Sequence, residues 1–151
     1  MGTIDLIRRF NMQKHPEVGY YAVTYEAADK VDGRHISTAI YFLITKDDFS
    51  AFHRIDADEI WHFYGGDPLD VVEIDTAGKL IVTKVDSMNP QYVVKKGHWF
   101  GSRVVEGGEF SLVGCTVSPG FMFEGFELAK ANELGQSYPE HSKIIAELTR
   151  Q

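Results

Sequence analysis

Residues 49–66 read FSAFHRIDADEIWHFYGG, and the way this stretch folds decides how the rest of the chain is read. Both ends carry the β-branched and aromatic content of strands, and Asp56-Ala57-Asp58 between them is a short corner of turn-forming residues. Successive side chains of a strand point to opposite faces. His53 therefore shares a face with Phe49, Ala51 and Ile55, and Glu59 shares one with Trp61 and Phe63. With both faces turned inward, an imidazole and a carboxyl come together among aromatic rings, where a buried charge is costly unless it is paired or used.

Outward from this pair the same pattern recurs. Strands are expected at residues 20–25, 37–45, 49–56, 59–64, 69–75, 79–85, 91–95, 99–105, 110–117 and 121–128, divided by turn signals such as Lys46-Asp47-Asp48, Gly65-Gly66-Asp67-Pro68, Thr76-Ala77-Gly78 and Gly107-Gly108. Short strands at this spacing predict a sandwich or barrel. Residues 3–10 place Ile4, Leu6, Ile7 and Phe10 at helical spacing behind Thr3 as N-cap. Residues 27–36 form a polar connection turning at Asp32-Gly33. Near the end, Ser137-Tyr138-Pro139-Glu140 has the form of a capping box, opening a helix with Ile144, Ile145 and Leu148 on one side. The expectation is one all-β domain over residues 1–151, with short helices at its N- and C-terminal ends.

Composition narrows the classes. Hydrophobic residues at 44% and aromatic residues at 13% of 151 positions supply one sizeable core. The formal charge of −7, with scattered basic residues, argues against a nucleic-acid partner. Cys115 is the single cysteine, so no intrachain disulfide forms, and its face with Val113 and Val117 reads as buried hydrophobe rather than nucleophile. No apolar run approaches the roughly 20 residues of a membrane helix. The opening MGTIDLIRRFN has no signal-peptide pattern, and Leu6 stands where a myristoylation site has Ser or Thr. The expectation is a cytoplasmic protein without a membrane partner.

The opening stretch also resembles the first conserved motif of the cupin superfamily, His-x-His, three or four residues, Glu, about six residues and Gly. His53, Glu59 and Gly66 match it, and Ile55 replaces the second histidine. Further likeness is to a small single-domain cupin branch often labelled predicted sugar epimerases. It runs through His15-Pro16-Glu17 and Gly19-Tyr20, TAIYFLIT, EIWHFYGGDPL, VGCTVSPGF and the closing YP…LTR, nearly the whole chain. The second cupin motif, Pro-x-Gly-x-x-His, corresponds to residues 95–100, where Gly97 is kept while Lys95 and Phe100 replace proline and histidine. Two departures from the branch stand out. Val18 replaces the first glycine of its HPEGGY, and Ala22-Val23 replace an Arg-Glu pair that follows.

The resemblance implies a double-stranded β-helix, the jelly-roll cupin barrel, with a small-molecule, sugar-like ligand inside. Tyr20, Tyr41, Trp61, Phe63, His98 and Phe100 are the expected ligand-binding residues, and His53 and Glu59 the expected catalytic ones. Three functions stay open. The first is a metal-independent epimerase or isomerase of a sugar or sugar nucleotide, with His53 as general base at near-neutral pKa. The second is a metal-dependent dioxygenase or lyase with His53, Glu59 and His98 as ligands. The third is a non-catalytic binder, which needs the same aromatic-lined site. Two of the four usual metal ligands are hydrocarbon, so no metal cofactor is expected. His62, on the opposite parity from Glu59, should face away, as should Arg54 and Arg103. An outward set of Ile60, His62, Tyr64, Tyr41 and Leu43 is apolar enough to predict a homodimer, the arrangement common among small cupins.

Overall fold

Strand-period alternation, helped by apolar residues on both faces of the central strands, folds the chain into two antiparallel sheets. The computed structural model describes residues 1–150. In chain order they form α1 (Thr3–Arg9), β1 (Gln13–Lys14), β2 (Tyr20–Glu26), β3 (Lys30–Val31), β4 (Arg34–His35), β5 (Thr38–Thr45), β6 (Ser50–Ile55), β7 (Asp58–Gly66), β8 (Leu69–Ile74), β9 (Leu80–Val85), β10 (Gln91–Val94), β11 (Trp99–Val104), β12 (Phe110–Ser118), β13 (Phe126–Leu128), α2 (Ala131–Ser137) and α3 (Ser142–Glu147). One sheet has the order β1-β2-β5-β12-β7-β10 and the other β13-β6-β11-β8-β9, with β3-β4 a separate small hairpin. Every named pairing is antiparallel. This is the expected jelly-roll barrel. No helix among the described residues is long and apolar enough to cross a membrane.

The two sheets close on an inner core that includes Phe42, Ile44, Ile55, Trp61, Val71, Phe100, Val113 and Cys115. Their outer faces carry two further cores. α1 covers Leu43 and Leu112 with Leu6 and Met12. α2 and α3 cover Phe52, Val72 and Ile74 with Leu134, Ile145 and Leu148. Strands such as β8, buried at five of its six positions, are apolar on both faces because both faces are roofed.

Several local expectations are corrected. Phe49 lies just before β6 and packs with the outer cluster, so it does not share the face of His53. Residues 121–128 are not one strand, because a 3-10 turn at Phe123–Gly125 precedes the three-residue β13. Ser137 closes α2 instead of capping a helix, and Pro139–His141 forms a 3-10 turn before α3. Leu134, buried against the sheet, supplies the tertiary contact that makes α2 worth forming, a contact no local pattern displays. Leu43 is fully buried and Tyr41 partly covered beneath α1, so neither belongs to a naked outer face.

β11 reaches β6 through a register shift, with Phe100 opposite His53 but Ser102 opposite Ser50. Gly101 sits in this irregularity, where an added Cβ would lie 2.6 Å from the Ser50 carbonyl oxygen and 3.3 Å from the Phe52 nitrogen. Both are backbone atoms that cannot turn aside. Gly101→Ala is therefore expected to push β6 and β11 apart and to cost about 1–3 kcal/mol or more. Urea unfolding would check this; a midpoint equal to wild type would contradict it.

Candidate functional site

Three titratable groups from three strands face the interior. His53 comes from β6 in the five-stranded sheet. Its ring lies 4.2 Å from the Phe100 ring and stacks at 5.2 Å on Phe126. Nδ1 donates to the Ala51 carbonyl at 2.7 Å, which leaves Nε2 of the neutral ring without a proton. Burial, the largest influence, lowers its pKa from 6.5 to about 4; the Ala51 bond opposes this and the charge of His15 adds to it. The expectation of a base titrating near neutrality is thereby corrected.

Glu59 comes from β7 in the six-stranded sheet, opposite Val94 and Val117. Burial alone raises its carboxyl from 4.5 to about 8. At neutral pH it is an uncharged acid. His53 and Glu59 therefore stand on opposite sheets and do not form a pair. The charge that reaches His53 is that of His15, while Glu59 acts on Cys115, whose thiol burial pushes up.

Glu73 on β8 is a third interior group, 1% exposed and opposite Phe100. The Tyr92 hydroxyl donates to its Oε1, and Nδ1 of His98 donates to its Oε2 at 2.7 Å. Sequence reasoning missed it, although Glu73 keeps the strand parity of the buried Leu69 and Val71. It missed His15 as well, reading it as part of a turn. The His15 ring packs at 5.0 Å on Tyr21 and 5.5 Å on Phe42, and its Nδ1 accepts from the backbone N–H groups of Glu17 at 3.0 Å and Val18 at 3.4 Å.

Among the expected ligand-binding residues, Trp61 and Phe100 are 1% exposed in the inner core and Phe63 packs against it. Tyr20 and Tyr41 are not there. Tyr20 pairs with Leu43, and both tyrosines lie on the outer face with α1, Tyr41 at 5.0 Å from Phe10. Tyr21, one residue on, is the tyrosine turned toward the barrel core. The shift follows from alternation alone, since the Gly19 turn decides which of two adjacent tyrosines faces in. His62 is bonded to Thr116 at 3.0 Å, Arg54 to Glu127 at 2.8 Å and Arg103 to Glu147 at 2.9 Å.

The residues present do not fit the metal site that the first cupin motif implies. Ile55 and Phe100 fill two ligand positions with buried hydrocarbon. Nδ1 of His98 is committed to Glu73, and among the described residues no three His, Cys, Asp or Glu side chains gather as a ligand set. His53, Glu59 and His98 thus do not converge.

Polar groups inside the barrel nevertheless lack partners. Trp61 Nε1 and Ser102 Oγ are buried without a hydrogen bond. A hollow of about 570 Å³ opens at one end of the barrel, its lining including Ile55, Phe126, Arg54, Lys96 and Glu127. Phe126 separates it from His53. Phe121, Phe123 and Phe126 stack edge to face at 5.1–6.4 Å, and Phe123 is 69% exposed.

The raised Glu59 pKa has a definite signature in stability. Between 4.5 and about 8 the unfolded carboxyl has lost its proton while the folded one keeps it, so stability falls as pH rises through this window. Glu59→Gln removes that loss. It is expected to match wild type near pH 4.5 and to exceed it at pH 8 by several kcal/mol, at about 1.4 kcal/mol per pH unit. Thermal or urea unfolding of both proteins at the two pH values would check this; an equal difference at both would defeat it.

Comparison with known proteins agrees with the architecture. Residues 4–129 match the family profile described as Cupin superfamily (DUF985). A crystal structure of a protein from Shewanella oneidensis is 36% identical, with a TM-score of 0.92 over 99% of this chain and 98% of that one. A hypothetical protein from Leishmania major is 33% identical, with a TM-score of 0.94 over the full length of both. Oxalate decarboxylase of Bacillus subtilis is similar in fold alone, at 11% identity and a TM-score of 0.60 over 89% of this chain and 36% of that one. No curated protein matches the chain.

Proposed function

Starting from the fact that this chain belongs to the cupin superfamily, in the family DUF985, we propose that it binds a small molecule between its two sheets, around Trp61, His53 and Glu59. The observation that carries this reading is the set of unpaired polar groups inside. An unsatisfied buried donor costs about 1–3 kcal/mol. Here Trp61 Nε1 and Ser102 Oγ are both buried without a hydrogen bond, and Glu59 and His53 also face the interior, where burial raises the pKa of the one and lowers that of the other. Such a deficit is what a bound ligand makes good. In this reading the Phe126 ring, stacked on His53 at 5.2 Å, has to move aside to admit the ligand.

A second reading, an epimerase or isomerase acting on a sugar-like substrate, is favoured by one further observation. A protonated carboxyl on one sheet faces an interior that holds an unprotonated imidazole on the other. A proton-transfer enzyme uses such an acid and base on two sides of its substrate, contributing about 10²- to 10⁴-fold each to the rate. In this reading His53 accepts the proton and Glu59 donates one.

Spectra of ¹⁵N-labelled protein titrated with a broad metabolite collection test the binding reading, with Trp99→Phe identifying the Trp61 indole signal. Saturable movement of that signal, weakened or lost in His53→Ala, is expected. A Trp61 signal that no compound moves would defeat it.

We also propose a homodimer through the outer face of the six-stranded sheet. Val93, Ile60, Thr116, Ala39 and Tyr25 follow one another across five strands, and the next row is Gln91, His62, Gly114, Tyr41 and Ala22, the last two packed in the cluster beneath α1. Neither row has an Asp, Glu, Lys or Arg, although the chain carries a net charge of −7. Tyr25 at 55%, Tyr64 at 54% and Val93 at 40% exposure leave apolar area for a second copy to cover. Sedimentation at micromolar concentration should show about twice the 17.0 kDa chain mass. A monomeric species would refute the dimer.

A further inference from the structure

We propose that the dimer opens reversibly in mild acid, with His62 as the proton-sensing residue of its interface; this rests on the reading of the outer sheet face as the contact between two copies. His62 stands on β7 between Ile60 and Tyr64 of its own strand, with Gln91 of β10 on one side and Gly114 of β12 on the other. Val93 and Thr116 flank Ile60 in the same way. The cover given by α1 reaches Tyr41, whose ring packs on Phe10 at 5.0 Å and meets Tyr64 edge to face at 5.7 Å, and it leaves Tyr64 54% exposed. Gly114 has no side chain, and the Tyr64 ring lies over it, 2.7 Å from where a Cβ would be. The Tyr64 ring also runs parallel to that of His62, with 5° between their planes at 6.3 Å. A second copy that covers Ile60, Tyr64 and Val93 therefore covers His62 among them. A two-fold interface uses the same patch of both copies, so two His62 rings leave water for each dimer formed.

The surroundings of the ring offer nothing to hold a charge. Nε2 is bonded to the Thr116 hydroxyl at 3.0 Å, a contact that a neutral imidazole makes in either tautomer. The titratable groups nearby on this face are phenols, Tyr64 on the same strand and Tyr41 behind it, and burial raises the Tyr64 hydroxyl above its usual 10. β12 contributes Gly114 and Thr116, and β10 contributes Gln91 and Val93, none of them charged. One ring further off, α1 brings Arg9 to 5.8 Å from Phe10, a cation and not an acid. Glu59 and Cys115 belong to the inner face, the side opposite to His62. No carboxylate among these groups offsets an imidazolium.

Burial already holds the His62 pKa below 6.5. Removing the remaining water disfavours the charged form again and lowers it further. Over the interval between the two values the single chain binds a proton that the dimer does not, so acid favours the single chain. The shift reaches up to about tenfold per pH unit for each ring, or about a hundredfold for the pair. Overall charge works the other way. The chain carries −7 at neutral pH, and acid brings it toward zero, which weakens repulsion between copies. A dimer without His62 in its contact would tighten in acid. The two interior groups stay clear of the interval, since Glu59 at about 8 keeps its proton and His53 at about 4 stays largely neutral.

Sedimentation equilibrium of wild type and His62→Gln from about pH 7.5 to about pH 5 tests this, with circular dichroism to separate a folded single chain from an unfolded one. Wild type should pair at least about tenfold more weakly at the acid end and recover at neutrality, whereas His62→Gln, which can bond Thr116 but takes no proton, should hold its affinity. The ring signals of His62 should titrate at a lower pH in concentrated than in dilute wild-type protein. Should His62→Gln fail to pair, that concentration dependence decides alone. A dimer as tight or tighter in acid, a loss of affinity that persists in His62→Gln, unfolding in place of dissociation, or a His62 midpoint independent of concentration would overturn the switch and leave the dimer standing. If wild type is a single chain at every pH, the dimer reading fails and this inference fails with it.

Discussion

The contact on which the rest depends is that of Trp61 with Phe100, 6.4 Å apart and perpendicular, one from each sheet. Phe42 extends it along the six-stranded sheet. Edge-to-face aromatic pairs contribute about 0.5–1.5 kcal/mol beyond the area they bury, and here they lie where the two layers must be held together. The first and second cupin motifs imply imidazoles at positions 55 and 100. This chain places Ile55 and Phe100 there instead, so packing does what a shared metal ion would otherwise do for the barrel's centre. The consequence is an apolar interior in which a polar group needs a partner.

That apolar enclosure sets the chemistry. A carboxyl and an imidazole moved from water into hydrocarbon both favour their neutral forms. Glu59 rises to about 8 and His53 falls to about 4, so the order of their basicities in water is inverted. Glu73, still more deeply buried, has the partners that Glu59 lacks: a phenol and an imidazole donate to its two oxygens. Two interior carboxyls on facing walls thus hold different roles, one structural and satisfied, the other unpaired and available. The contrast between them, more than the presence of a histidine, is why Glu59 and not Glu73 enters the proposed site.

The outer faces follow a second constraint. Each sheet is too apolar on its outside to stand alone, and the chain's two ends return to roof it. α1 seals Leu43 and Leu112, while α2 and α3 seal Phe52 and Ile74. Arg150 anchors the last turn by bonding Asp48 at 2.6 Å and lying 4.0 Å from the Phe49 ring. The strip from Val93 to Tyr25 has no such roof. Charge is distributed around it, in ion pairs between strands and loops, which leaves the strip uncharged and the barrel mouth balanced.

The strands, their turns and a sandwich or barrel were legible in the sequence because period-two alternation and Gly or Asp-rich corners are local properties; the jelly roll itself was what the cupin resemblance implied. The placement of His53 and Trp61 toward the interior follows from the same parity. Tyr20 was misjudged by one residue, because alternation tells which side chains share a face and a turn decides which face is inside. α2 was invisible, since its only strong anchor is Leu134 and the surface it fits belongs to strands far along the chain. Glu73 has the parity of Val71, yet its partners Tyr92 and His98 lie 19 and 25 residues away and meet it only when β8, β10 and β11 are in place. The pKa values were beyond sequence altogether, because burial and hydrogen bonding are properties of an enclosed volume. Sequence determined which residues share a face; only the tertiary structure decided which face is inside and which of its polar groups are left unpaired, because satisfaction of a buried polar group depends on neighbours that the chain brings together from distant strands.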